Sequence, residues 1–477
     1  MRDSPTDADA DASGRVRRDC VRRRGAGAGS GLSRAGRHAA GPAPWVALLL
    51  VGLVLPSAPP TSEAATSVTP ATTARAYDST PPALKPIDPA VFRSAVDRAA
   101  KKLMVPGAVV LLRTPQGTFR ATVGTTERGT AEPPTTADHF RIASNTKTMT
   151  SALVLLLAQD GRLSLSDPVS AYVPGVPDGE HITIAELLKM RSGLYNFTDA
   201  PELAASLDAD PGGVRTPREM LALAFRHPPD FAPGASYEYS NTNYVLLGLV
   251  AEKAGGRPLA RQFRDRLFAP LGLRGTSLPA PDDRSLPAPF SHGYMYGGSA
   301  YALVDRPYPA DVRSAARSGA LQPVDYTHQN PSYSAAAGAA VSTADDLAAW
   351  IRALVTGKVL NTAFQQKWLN SPQAEDPAAP DGKRYGYGIA FQRFGPNASM
   401  YYHGGELPGF NSFIGHDPDN DVTLVIWANL TLTPDGLTTA NALLPTVLDQ
   451  VYAGLAPPAG AGRSGFRAVP AGERSTA

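Results

Sequence analysis

Strand-forming runs occupy both ends of this chain, and helix-forming runs fill the stretch between them. Ala108 to Leu112 and Thr118 to Val123 flank a Pro115-Gln116-Gly117 turn near the start of the body. Gly388 to Phe391, Met400 to His403, Asn411 to Gly415 and Val422 to Ala428 follow in series near its end, with turns between them. Asp88-Pro89 opens a helix as N-cap and first-turn proline, with Phe92, Ala95, Val96, Ala99 and Leu103 at helical spacing. Lys147 to Ala158 is long and apolar enough for a buried helix, stopped at Gly161. Further helices are expected at Thr183 to Met190, Pro217 to Phe225, Asn241 to Glu252, Leu259 to Phe268, Thr343 to Leu354 and about Leu437 to Leu455. The expected fold is α/β (α+β). One antiparallel sheet is built from both chain ends and flanked by the terminal helices, with a mainly helical lobe inserted at about 147–330.

Residues 1–42 are rich in Arg, Gly, Ala and Asp, with no apolar periodicity. Trp45 to Leu55 is an apolar run of eleven, against about 20 residues needed to span a bilayer. Arginines precede it and Ser62-Glu63-Ala64-Ala65 follows, the pattern of a secretory signal peptide. An uncleaved anchor is the competing reading. Residues 1–65 are therefore expected to be a leader, 66–88 a Thr-, Pro- and Ala-rich linker, 89–456 the folded body and 457–477 a disordered tail. The leader holds nine Arg against six acidic residues, so the remainder carries a net charge of −1. Such a body offers no electrostatic footprint for nucleic acid. The single cysteine, Cys20, lies in the leader, which leaves no disulfide and no lipid attachment. A secreted monomer without a stable membrane anchor is expected.

Three segments carry the chemistry: Ser144-Asn145-Thr146-Lys147, Tyr239-Ser240-Asn241 and His403-Gly404-Gly405. At a helix start, residues three apart lie on one face, so Ser144 and Lys147 would stack. A partly desolvated lysine can give up its proton and take the serine's. A capped helix with a solvated lysine shows the same spacing, but Lys147 leads straight into an apolar segment where a solvated lysine is out of place. A Tyr239 hydroxyl facing Ser144 would relay protons, and Asn241 would hold a substrate amide. An ordinary N-cap at Ser240 or Asn241 is the plainer alternative. Glycines after His403 would let an extended substrate approach a strand; a strand-end turn with a surface histidine is the plainer alternative. Together the segments are equipment for breaking an acyl bond through a covalent serine intermediate.

These motifs sit in longer blocks: Phe140-Arg141-Ile142-Ala143-Ser144, Thr183 to Leu194, Pro233 to Tyr244 and Ala337 to Leu347. With them the chain resembles the serine β-lactamase and penicillin-binding-protein superfamily from about Pro89 to Leu455. Within it, the likeness is to class C-like D-alanyl-D-alanine carboxypeptidases secreted by actinobacteria. The resemblance implies that Ser144 is acylated, Lys147 and Tyr239 shuttle its proton, and Asn241 orients the substrate amide. It places His403 where many relatives carry lysine. It makes the N–H groups of Ser144 and Glu406 the oxyanion hole, with Gly404, Gly405, Glu406 and Tyr333 in substrate binding. It implies no cofactor, a small-molecule or peptide substrate such as a peptidoglycan stem peptide or an ester, and β-lactams as inhibitors.

The chain also departs from that pattern. The related carboxypeptidases follow their histidine with Thr-Gly-Thr, whose hydroxyls help hold the substrate's terminal carboxylate; here Gly404-Gly405-Glu406 stands instead. An arginine serving the same carboxylate is replaced by Ala390, with Arg393 nearby as a substitute. The leading expectation is a D-alanyl-D-alanine carboxypeptidase-like enzyme. An esterase, an amidase or a β-lactamase on the same scaffold is the alternative among enzymes, and a non-catalytic cell-wall-binding protein is the alternative outside them. His416 to Asp421 resembles a hard-cation cluster but has the composition of a hairpin turn, so no metal is expected. Asp345-Asp346 is expected in the first turn of a helix, where carboxylates are favoured.

Overall fold

The structure, a computed structural model, describes residues 84–303 and 307–455. The expected leader, nearly all of the linker and the tail at 457–477 lie outside the described residues. Helix α1 (Pro89–Lys102) starts where the Asp88-Pro89 pair predicts. The Asp88 carboxylate accepts from the N–H groups of Ala90 and Val91 at 2.7 and 3.0 Å, meeting donors that a helix start leaves open.

The main sheet has eight strands. They are β1 (Gly107–Thr114), β2 (Gly117–Gly124), β3 (Gln373–Ala374), β4 (Arg384–Tyr385), β5 (Ala390–Gly395), β6 (Ala398–Leu407), β7 (Phe410–Asp417) and β8 (Val422–Ala428). Their spatial order is β2-β1-β8-β7-β6-β5-β4-β3, and every pairing is antiparallel. The two chain ends meet where β1 lies beside β8, with Val109 opposite Trp427. Every residue of β7 and β8 is buried, so both faces of the sheet are covered. Helix α1 packs beside the last helix, α5 (Thr439–Val451), and α4 (Ala344–Val355) packs against β7 and β8.

Helix α2 (Thr146–Gln159) is the hub of the helical layer, with all residues from Thr146 to Leu157 buried. Its buried polar side chains are met by carbonyls: Lys147 by Ala337, Thr148 by Asn145, Thr150 by Ala336 and Ser151 by Tyr387. It packs against α3 (Asn241–Gly255). Several outcomes differ from the sequence reading. Additional helices stand at Pro201–Ala209, Ala310–Ser318 and Thr362–Leu369. The stretch expected as one helix at Leu259 to Phe268 switches to π-helix at Arg264–Phe268. The lobe also holds a ribbon of Tyr294–Met295 against Val324–Asp325. Strand β6 runs through Gly404 and Gly405 to Leu407, because the ladder to β7 continues as far as Leu407–Phe410; cross-strand pairing overrides the poor strand propensity of glycine. The His416–Asp421 segment is the β7–β8 hairpin, and Asp417 Oδ1 accepts from the N–H groups of Asp419 and Asn420.

Helix α4 carries Asp345 and Asp346 in its first turn, and its N-cap Thr343 accepts from the N–H of Asp346 at 3.2 Å. Replacing Thr343 by alanine is expected to lower stability by about 1 kcal/mol, read as a reduced urea midpoint at unchanged slope. An unchanged midpoint would show that the cap carries no weight.

Candidate active site

The nucleophile candidate stands on a forced turn. Phe140–Arg141 pairs with Val341–Ser342, and the Phe140 ring stacks on Trp427 of β8 at 5.1 Å. Ala143 then takes a left-handed φ of +52°, a conformation that costs a non-glycine residue roughly 1–3 kcal/mol. Neighbouring bonds hold it. Asn145 Nδ2 donates to Ile142 O at 3.1 Å and to Ser412 Oγ of β7 at 2.8 Å, and Thr146 Oγ1 donates to Ala143 O at 2.7 Å. Ser144 thereby stands at the mouth of α2, one turn before Lys147.

Lys147 is fully buried. Its Nζ lies 3.0 Å from Ser144 Oγ, 2.7 Å from Asn241 Oδ1 and 2.8 Å from the carbonyl of Ala337. Asn241 is the first residue of α3. It is held through its own N–H to Asn196 Oδ1 at 2.9 Å and through Nδ2 to Thr198 Oγ1 at 3.1 Å. The Tyr239 ring covers Lys147, with Nζ 4.9 Å from the ring centroid.

His403 is not a surface residue. Its ring is buried in β6, with Nδ1 2.7 Å from Gly404 O and Nε2 3.0 Å from the Tyr385 hydroxyl. Gly404 O can only accept, so Nδ1 carries the proton and Nε2 accepts from Tyr385. Burial pushes the Tyr385 hydroxyl pKa well above its ordinary value and keeps it a donor. Burial, followed by the charge of Lys147, pushes the His403 pKa down to about 3. His403 is thus a neutral ring packed between Tyr385 and Tyr239.

The glycines of β6 have a structural reason beyond substrate access. A Cβ on Gly405 would lie 2.2 Å from Ile142 O and 2.6 Å from Ser412 Oγ. Only glycine lets the strand press against the nucleophile turn. The ladder from β6 to β5 ends at Tyr402–Ala390, so beyond it β6 is laddered to β7 alone. That part of β6 borders a cleft lined by Ser144, Tyr239, Asn241, Tyr333, Gly404, Gly405 and Glu406. All but three of the site residues expected from sequence meet in its wall. Lys147 stands directly behind Ser144, and His403 is buried within β6 with its ring packed against Tyr239 and Tyr385. Arg393 is on an exposed position of β5 opposite Ser399 and does not line the cleft. Sequence reasoning missed Asn145, Ser412, Thr198, Ala337 and Tyr385, whose parts depend on contacts distant in the chain.

A model of the beta-lactamase family matches residues 92–447. The chain belongs to the beta-lactamase family. Among solved structures, this family member is similar to a D-stereospecific amidohydrolase from Streptomyces sp., at 31% identity and a TM-score of 0.63, over 75% of this chain and 97% of that one. It is also similar to the D-amino acid amidase of Ochrobactrum anthropi SV3 complexed with D-phenylalanine, at 27% identity and a TM-score of 0.64, over 76% of this chain and 98% of that one. Protein flp of Staphylococcus aureus (strain N315) is 27% identical over 303 residues, which are 62% of this chain. That match spans about half of the curated relative, 53% of its length. The beta-lactamase fold places this protein in a superfamily of serine hydrolases that includes amidases and penicillin-binding proteins.

Two outcomes follow from this geometry. Gly405→Ala is expected to lower stability by about 1–3 kcal/mol, since backbone must shift to admit the methyl group; wild-type stability in urea would show that the strand and the turn separate freely. His403 supplies a pH test. The unfolded chain protonates this histidine below about 6.5, and the folded chain resists until about 3. The unfolded state therefore binds the extra proton in that window, and stability falls as pH falls through it. Removing the imidazole in His403→Asn is expected to flatten the stability slope by about 1.4 kcal/mol per pH unit between pH 4 and 6, measured by urea unfolding. His416, itself held down to about 4 by burial, remains in both proteins and cancels. Identical slopes would overturn the neutral buried ring.

Proposed function

We propose that this protein hydrolyses amide or ester bonds through an acyl intermediate on Ser144, with a D-configured residue as acyl donor. The observation that carries the reading is the placement of Lys147 Nζ, 3.0 Å from Ser144 Oγ with Asn241 Oδ1 and Ala337 O on its other sides. Both of those oxygens can only accept. As an amine, Lys147 spends its two N–H groups on them and turns its lone pair toward Ser144. Ser144 Oγ attacks the substrate carbonyl carbon and its proton passes to Nζ. The C–N or C–O bond then breaks, and the departing atom takes a proton by way of Tyr239. Water releases the acyl group and restores the Oγ–H. The N–H groups of Ser144 and Glu406 would receive the oxyanion, where one donor is worth about 3 kcal/mol.

The choice of D-configured substrates draws support from the amidohydrolase and the amidase to which the chain is similar. The cleft favours an amidase or esterase over a D-alanyl-D-alanine carboxypeptidase. No Arg or Lys is among the described residues lining it, and Glu406 is. A terminal carboxylate there would stand beside Glu406 with no cation among those described lining residues.

The test is turnover of D-alanine p-nitroanilide, p-nitrophenyl acetate, nitrocefin and a D-Ala-D-Ala peptide. Turnover of the anilide and the ester is expected. Ser144→Ala and Lys147→Ala should each lower kcat by about a thousandfold or more. Full activity in Ser144→Ala sinks the acyl-serine mechanism. Fastest release of D-alanine from the peptide would make the protein a carboxypeptidase, and fastest opening of nitrocefin a β-lactamase.

A further inference from the structure

We infer that Asn145 and Ser412 are positioning residues for the proposed reaction. The bond between them sets the spacing of the two oxyanion donors, the N–H groups of Ser144 and Glu406. This rests on the acyl-serine reading above and adds to it the side chains that hold its oxyanion hole in shape.

The two donors come from different parts of the fold. Ser144 belongs to the turn before α2, and Glu406 belongs to β6. A hole built from two parts works only while the gap between them is fixed, because each donor must stand about 3 Å from the developing oxyanion. Three polar groups converge where the parts meet. Asn145 Nδ2 donates to Ser412 Oγ at 2.8 Å and to Ile142 O at 3.1 Å, and Ser412 Oγ lies 3.5 Å from that same carbonyl oxygen. Asn145 and Ser412 are both fully buried. Asn145 directly follows Ser144. Ser412 is the cross-strand partner of Gly405, which directly precedes Glu406. The knot lies against the strand itself: a Cβ on Gly405 would stand 2.2 Å from Ile142 O, 2.6 Å from Ser412 Oγ and 2.9 Å from Asn145 Nδ2. Widening the gap between Ser144 and Glu406 therefore stretches the Asn145–Ser412 bond.

The other end of the amide points the same way. Asn145 Oδ1 is buried and meets no donor among the described residues. A buried acceptor left unmet lowers stability, and positioning a reacting group is one reason a fold keeps one. What the amide supplies is Nδ2, a donor that reaches from the nucleophile turn to β7.

The experiment measures kcat/KM for p-nitrophenyl acetate and its thiono analogue, in which sulfur replaces the carbonyl oxygen. The proteins are wild type, Asn145→Ala, Ser412→Ala and the double variant, with circular dichroism to verify folding. Thiocarbonyl sulfur accepts hydrogen bonds weakly, so a well-spaced oxyanion hole is expected to favour the oxygen ester by about a hundredfold in wild type. Loss of folded protein lowers both rates alike and leaves that ratio untouched. Each single variant is expected to reduce the ratio about tenfold, and the double variant no further, because all three break the same bond. Should Asn145→Ala fail to fold, Ser412→Ala, which removes one oxygen atom, decides. A wild-type ratio in Ser412→Ala overturns the inference, as do a wild type without preference for the oxygen ester and reductions that multiply in the double variant. Failure of the mechanism itself reads differently: Ser144→Ala would then hydrolyse the oxygen ester as fast as wild type.

Discussion

A buried lysine, its Nζ held by three uncharged groups, is the constraint around which the molecule is arranged. Burying a cation is costly unless its hydrogen bonds are met. Here Ser144, Asn241 and Ala337 meet them. Asn241 stands 94 residues away along the chain and Ala337 stands 190 away. The amine is therefore satisfied only when α2, α3 and the Ala335–Gly338 turn are docked together, and assembling the core and assembling the site become one event.

The sheet enters the same arrangement through the turn before α2. Gly405 admits Ile142 O where any side chain would collide, and Asn145 ties the turn to Ser412. These contacts hold Ala143 in a backbone region that its own sequence does not favour. Relief of that strain is prevented from two directions, by the helix behind and by the strand in front.

The readable parts of the sequence were local. The spacing of Ser144 and Lys147 and the apolar run of α2 reflect a helical periodicity, and the late strands showed as short β-prone runs between turns; each has its counterpart in the structure. The helix at Thr362–Leu369 had a usable signal in Asn361, whose side chain accepts from the Phe364 N–H, but its short apolar pattern is weak. Tyr385 had none. Its bond to His403 crosses two strand pairings, β4 to β5 and β5 to β6. His403 itself was legible as a candidate catalytic residue. Its buried, neutral state was not, because that follows from neighbours which only the sheet brings together.

The staggered ladders of β6 have a consequence for recognition. Strand edges normally lie at the rim of a sheet, where any extended chain can add itself. Here the change from two ladders to one occurs in the interior, after Tyr402, within walls that include Tyr239 and Tyr333. The inner edge so formed lies in the cleft wall at Gly404, Gly405 and Glu406, away from the outer strands of the sheet, where edge-to-edge pairing with other molecules begins.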